Sequence, residues 1–97
     1  MGEREEAVKT VWKFPLDVPR TVIKAPGLGS TLLVGSQYRT WYAWCEIDTD
    51  KREYAREFVV VGTGHPMPDD DDGYTHAGSW QDEPFVWHAY QRPVSID

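Results

Sequence analysis

Residues 40–48, TWYAWCEID, alternate in a way that only an extended strand can use. With side chains pointing to opposite faces at every step, Trp41, Ala43, Cys45 and Ile47 fall on one side, and Tyr42, Trp44, Glu46 and Asp48 on the other. The same period of two returns in VWKFPL, where Trp12, Phe14 and Leu16 alternate with Lys13 and Pro15. RTVIKA, STLLVG, YAREFVVVG, YTHAGSW and FVWHAYQ read as further strands by their β-branched, aromatic and aliphatic content. DVP, PGLG, SQYR, TDKRE and QDEP punctuate them with turn residues. No stretch has the 3.6-residue period of an amphipathic helix. The expectation is an all-β fold: a single small domain of about seven short, mainly antiparallel strands, arranged as a meander barrel or a sandwich. Its expected bounds are residues 8–92, between a charged N-terminal tail at 1–7 and a C-terminal tail at 93–97.

At 97 residues the chain has room for one core. In Phe58–Val61 the strand is apolar on both faces, which predicts deep burial or cover on each side. The balance of 16 acidic to 10 basic residues, a net charge of -6, opposes phosphate neutralisation and argues against nucleic-acid binding. The single cysteine, Cys45, has no partner for an internal disulfide and suits a reducing compartment. The first residues, MGEREEAVKT, are charged where a secretion signal needs an apolar run, and no window reaches the ~20 apolar residues of a membrane-spanning helix. No membrane association is expected.

VVVGTGHPMPDDDDGY, residues 59–74, is the stretch that most resembles a functional motif. Gly62 and Gly64 match the first two glycines of a G-x-G-x-x-G phosphate loop, but Met67 stands where the third belongs, and aspartates follow in place of a P-loop lysine. Aligned on Gly73, a calcium loop finds Asp70 and Asp72 at its third and fifth positions, but Pro68 at its first and Ser79 at its twelfth. The stretch therefore reads as a strand exit, with glycines supplying positive φ and Pro66 stiffening the path, followed by a solvated acidic loop. His65, His76 and His88 have no local ligand spacing and would have to converge through folding to bind a transition metal. His76 and His88 lie on adjacent candidate strands; ordinary hydrogen bonding to backbone or a tyrosine hydroxyl is the competing reading. Cys45, mid-strand beside Trp41 and Ile47, reads as a small buried hydrophobe. Glu46 and Asp48 share a strand face that equally describes a solvent surface. No catalytic residue, cofactor site or metal site is expected from these patterns.

Thirteen aromatics in a one-core domain are harder to place, because several strands are apolar on both faces. Surplus rings must fill the ends of the core or mark a surface covered by another chain, and Trp and Tyr dominate interface energetics. Tyr42, Trp44 and Trp87 are the candidate protein-binding residues.

VWKFPL, GTGHPMPD, HAGSW and FVWHAY, in this order and spacing, resemble a family of short uncharacterised bacteriophage and prophage proteins. The resemblance spans roughly residues 9–91, with Gly62, Gly64, His65 and Pro66 forming its clearest motif. A longer aspartate run and a more aromatic middle hairpin, YRTWYAW, depart from the family pattern. The resemblance implies a phage-encoded accessory protein acting in the host cytoplasm; the aromatic surplus adds the expectation of a non-enzymatic protein-binding module acting on a host or phage protein. The alternatives are a self-assembling structural component and, third, a metal-dependent protein using the GTGHP turn and acidic loop.

Overall fold

The computed structural model describes residues 8–17 and 19–96, so the N-terminal tail expected at 1–7 lies outside the described residues. Seven strands follow in order: β1 (Lys9–Leu16), β2 (Arg20–Pro26), β3 (Thr31–Gln37), β4 (Thr40–Asp48), β5 (Glu53–Gly62), β6 (Thr75–Asp82) and β7 (Phe85–Val94). A single 3-10 turn, Asp70–Asp72, interrupts the loop between β5 and β6. The all-β expectation and the strand count hold, and β7 runs to Val94, past the expected start of the C-terminal tail.

The strands form two antiparallel sheets, ordered β1-β4-β3 and β2-β5-β7-β6, that stack without closing into a barrel. The arrangement is a sandwich, and the chain changes sheets between strands instead of meandering. The loop Gly27–Ser30 makes one such change: Gly27 N–H donates to the Arg52 carbonyl, while Gly29 N–H donates to the Glu46 carbonyl beside β4. Only two neighbouring pairs within a sheet are hairpins, β3–β4 and β6–β7.

The inner faces follow from alternation and register. On β4, Ala43, Cys45 and Ile47 are fully or almost fully buried, opposite Phe14, Trp12 and Thr10 of β1. On the central β5, Phe58 and Val60 point into the core against Gln91 and Ala89 of β7, and Val59, between Arg20 and Tyr90 on the other face, is buried too. Deep burial on both sides of this strand is what its two-faced apolar run demanded. Leu16, Ile23, Ala25 and Val34 complete the core.

The two sheets are pinned together along one side. Trp41 of β4 packs on Trp80 and Trp87, with ring centroids 5.6 and 4.6 Å away. The Trp80 indole donates to Ser36 Oγ, which donates to Asp82 Oδ2. Thr31 Oγ1 donates to Gln91 Oε1 at 2.6 Å and accepts from Arg56 at 3.1 Å, a polar clasp between the layers. On the opposite side β1 and β2 barely touch. Trp12, although on the inner face, is 41% exposed there.

Candidate functional site

The outward face of the β1-β4-β3 sheet carries two aromatic residues that the core does not use, Tyr42 and Trp44. Register places Tyr42 between Pro15 and Gly35, and Trp44 between Lys13 and Leu33. The Tyr42 and Trp44 rings lie 5.8 Å apart, tilted by 52°. Lys13 Nζ stands 4.4 Å above the Tyr42 ring and donates to Gln37 Oε1 at 2.8 Å, so its stem shelters one ring while its charge stays at the surface. Val11 (45% exposed) and Leu33 (58% exposed) extend the apolar patch on either side. Gly35 leaves it open: a Cβ there would meet nothing within 4 Å. No third layer covers this face among the described residues. Glu46 and Asp48 sit at one end of the same face, opposite Val11 and Lys9.

Of the three aromatics singled out from sequence, the structure brings Tyr42 and Trp44 together and separates Trp87 from them. Trp87 is on the inner face of the other sheet, half-buried against Trp41 and 5.7 Å from Phe85. Its strand, FVWHAYQ, is apolar on both sides, so alternation leaves its inner face ambiguous. Pairing with Gly62 and the Val60–Ala89 register decide it.

The GTGHP turn has a structural explanation. His65 N–H donates to the Gly62 carbonyl at 3.0 Å, closing a turn in which Gly64 has φ +92°. Gly62 serves differently: a Cβ there would stand 3.1 Å from the Trp87 ring and 3.2 Å from His65 Nδ1. Positive φ is therefore the role of Gly64, while Gly62 makes room for two rings. Pro66 follows, exposed, and the acidic loop begins. Asp69 Oδ1 accepts from Asp71 N–H, and its carbonyl from Asp72 N–H, which turns the aspartate run back on itself. Among the described residues, no group of three or more His, Cys, Asp or Glu side chains converges to hold a metal ion.

The outward face of the β2-β5-β7-β6 sheet mixes valines with polar side chains, and two polar networks cross it. In the first, Glu57 Oε1 accepts from the Tyr74 hydroxyl at 2.6 Å and from Arg92 Nε at 2.9 Å, while Arg20 approaches Oε2 at 3.4 Å. Arg92 also donates to the Asp72 carbonyl and stacks on Tyr74, so the end of the acidic loop is tied to the sheet. The Tyr74 hydrogen bond, reinforced by Arg92 and Arg20, holds the Glu57 carboxyl below its usual range, and burial with Glu57 beside it pushes the Tyr74 phenol up. In the second network Ser79 Oγ lies 2.9 Å from His76 Nε2 and 2.7 Å from His88 Nδ1. His88 Nε2 in turn lies 2.8 Å from Thr63 Oγ1. Sequence reasoning missed Glu57, Thr63 and Ser79: Thr63 and Ser79 fall within the GTGHP and HAGSW motifs, but as single polar residues on or next to strands none of the three suggested a contact.

Cys45 is fully buried, and burial pushes its thiol up, with Thr31 Oγ1 3.5 Å away. Where the sheets part beside β1, a cavity of about 550 Å³ opens over Leu28 and Ile47. Its rim sets Lys9 and Lys51 beside Glu46 and Asp48, so it favours no ligand charge.

Fold and surface together define a two-sheet antiparallel sandwich with the Tyr42–Trp44 pair on one outward face and two polar networks on the other. No curated protein and no solved structure matches the chain. The chain belongs to the DUF7352 family, a domain of unknown function, whose model matches residues 7–96.

Proposed function

We propose that the protein is a non-enzymatic binding module, a phage-encoded accessory protein that docks the Tyr42–Trp44 face onto a host or phage protein in the host cytoplasm. The observation that carries this reading is the uncovered apolar face: Val11, Trp44, Leu33, Tyr42 and Pro15 run together on one side of a three-stranded sheet. Trp and Tyr at the centre of a patch, ringed by aliphatic residues and one lysine, are the composition of interface hot spots. The phage setting rests on the motif resemblance alone. The test is affinity capture from host and infected-host lysates with mass spectrometry, comparing the wild type with a Tyr42→Ala/Trp44→Ala variant of verified fold. A partner recovered by the wild type and lost from the variant supports the reading; equal recovery by both sinks it.

A second reading, self-assembly, has its own observation. β3 is an edge strand whose sequence, TLLVGSQ, contains no charge and no proline, with Leu32 and Leu33 both more than half exposed. Edge strands in monomers are usually guarded by such residues. β1 has Lys9, Lys13 and Pro15, and β2 has Arg20, Lys24 and Pro26. Pairing of two β3 edges would make a continuous sheet with the aromatic faces side by side. Light scattering across a concentration series decides between the two: a dimer abolished by Leu32→Lys supports self-assembly, and a concentration-independent monomer excludes it.

A further inference from the structure

The His76–Ser79–His88–Thr63 chain is directed from its Thr63 end. The Val86 carbonyl, 3.3 Å from Thr63 Oγ1, can only accept, so the Thr63 hydroxyl donates to it and accepts from His88 Nε2–H. In the neutral imidazole with its proton on Nε2, the lone pair is on Nδ1, and this nitrogen accepts the Ser79 hydroxyl proton. Ser79 Oγ, its proton committed, accepts from His76 Nε2–H. Tyr90 fixes the second ring, edge-on at 5.5 Å.

From this geometry we infer that His76 and His88 form a two-histidine site for a borderline divalent transition ion of the zinc class on the outward face of the β2-β5-β7-β6 sheet. Two imidazole nitrogens converge on one exposed oxygen, at 2.9 and 2.7 Å. An ion taking the position of that oxygen needs each ring to approach by less than ~1 Å to reach the ~2.0–2.1 Å of a zinc–imidazole bond. Ser79 is exposed and can turn its hydroxyl aside by rotation about χ1. His76 is exposed as well and presents Nε2 as a lone pair once its proton moves to Nδ1 through solvent.

The independent support is behind His88, not in front of it. Metal-binding histidines donate their other N–H to a fixed acceptor, which sets the tautomer and aims the lone pair. Thr63, anchored on the Val86 carbonyl, holds His88 in this way with no ion required. The GTGHP turn contributes Thr63 as a support and no ligand: His65 closes the turn through its backbone N–H to the Gly62 carbonyl, and its ring makes none of the contacts in the chain. Two protein ligands leave the remaining coordination positions to water or to a ligand atom from a bound partner. The acidic chain, at -6, favours accumulation of cations at its surface.

Titration of the full chain with zinc, nickel and copper(II) ions, by calorimetry and by copper visible absorption, tests the inference. Saturable binding of one ion per chain is expected, with a nitrogen-ligated copper spectrum. His76→Ala and His88→Ala should each abolish it, and Thr63→Val should weaken it by about 10- to 100-fold, the usual cost of removing such a support. Ser79→Ala keeps both rings and should still bind, which guards against a variant that merely misfolds; His65→Ala should bind as the wild type does. No saturable binding up to millimolar ion, binding indifferent to both His76→Ala and His88→Ala, or binding lost in His65→Ala would overturn it.

Discussion

Gly78 of β6 lies so close beneath Val34 of β3 that a Cβ on residue 78 would stand 2.5 Å from Val34 Cγ2. The two sheets approach closely here, next to the Trp80–Ser36–Asp82 link. A methyl group there forces Val34 out of its place or β3 away from β6. Gly78→Ala is expected to destabilise the fold by about 1–3 kcal/mol, the range for overpacking a core. Val34→Ala in the same chain should recover part of the loss, so that the pair is non-additive in urea unfolding. Additive losses would place the strain elsewhere.

The β3–β4 hairpin turns through Tyr38 and Arg39, both at positive φ, +53° and +65°. A two-residue turn of this hand suits Asn-Gly, whereas an ordinary residue in the left-handed region costs about 1–2 kcal/mol. Tyr38→Asn/Arg39→Gly should therefore raise stability by roughly 1–2 kcal/mol, with each kcal/mol worth about 4–8 °C in melting temperature for a domain of this size. Tyr38 is almost fully exposed, so no packing is lost in exchange. A lower melting temperature would mean that these side chains make contacts that matter more than their backbone strain.

Glu57 gives the fold an acid-sensitive element. Its folded-state carboxyl is held below the ordinary value of 4.5 by the Tyr74 hydroxyl, Arg92 and Arg20. A depressed acid stabilises the folded state above the unfolded-state value, and that stabilisation disappears as pH falls through the lowered one. Glu57→Gln should cost stability at pH 7 and progressively less below pH ~4.5, so that the two urea midpoints converge in acid. A constant gap between them across that range would exclude the linkage.

Cys45 is wholly buried with its thiol pushed up, so the reactive thiolate is scarce and shielded. Labelling by a thiol reagent at neutral pH should wait for unfolding, its rate rising with urea in step with the unfolded fraction. Rapid labelling of the folded chain would contradict the tight packing of β4.

Much of this fold was legible because burial of one face forces alternation. Trp41, Ala43, Cys45 and Ile47 announced the inner side of β4, and the apolar Phe58–Val61 run announced a strand covered on both sides. Sheet membership was not legible. β1 pairs with β4 across two intervening strands, and nothing in Gly27–Ser30 says that the chain there changes sheets. The candidate site divides for the same reason. Tyr42 and Trp44 share a strand and a parity, so their common face follows from spacing; Trp87 lies on a strand whose two faces look alike until register with Val60 resolves them. The Thr63–His88–Ser79–His76 chain joins three separate segments, and only pairing of β6 with β7 and the turn after β5 brings them together.

The docking role of the Tyr42–Trp44 face is tested most directly at Gly35, where a Cβ meets nothing within 4 Å, so a longer side chain has room to leave the backbone and cover the neighbouring Tyr42. Affinity capture from infected-host lysate should recover a partner with the wild type and with His88→Ala, and lose it with Gly35→Lys at unchanged melting temperature. Undiminished recovery by Gly35→Lys, or no protein captured above background by the wild type, would contradict the account.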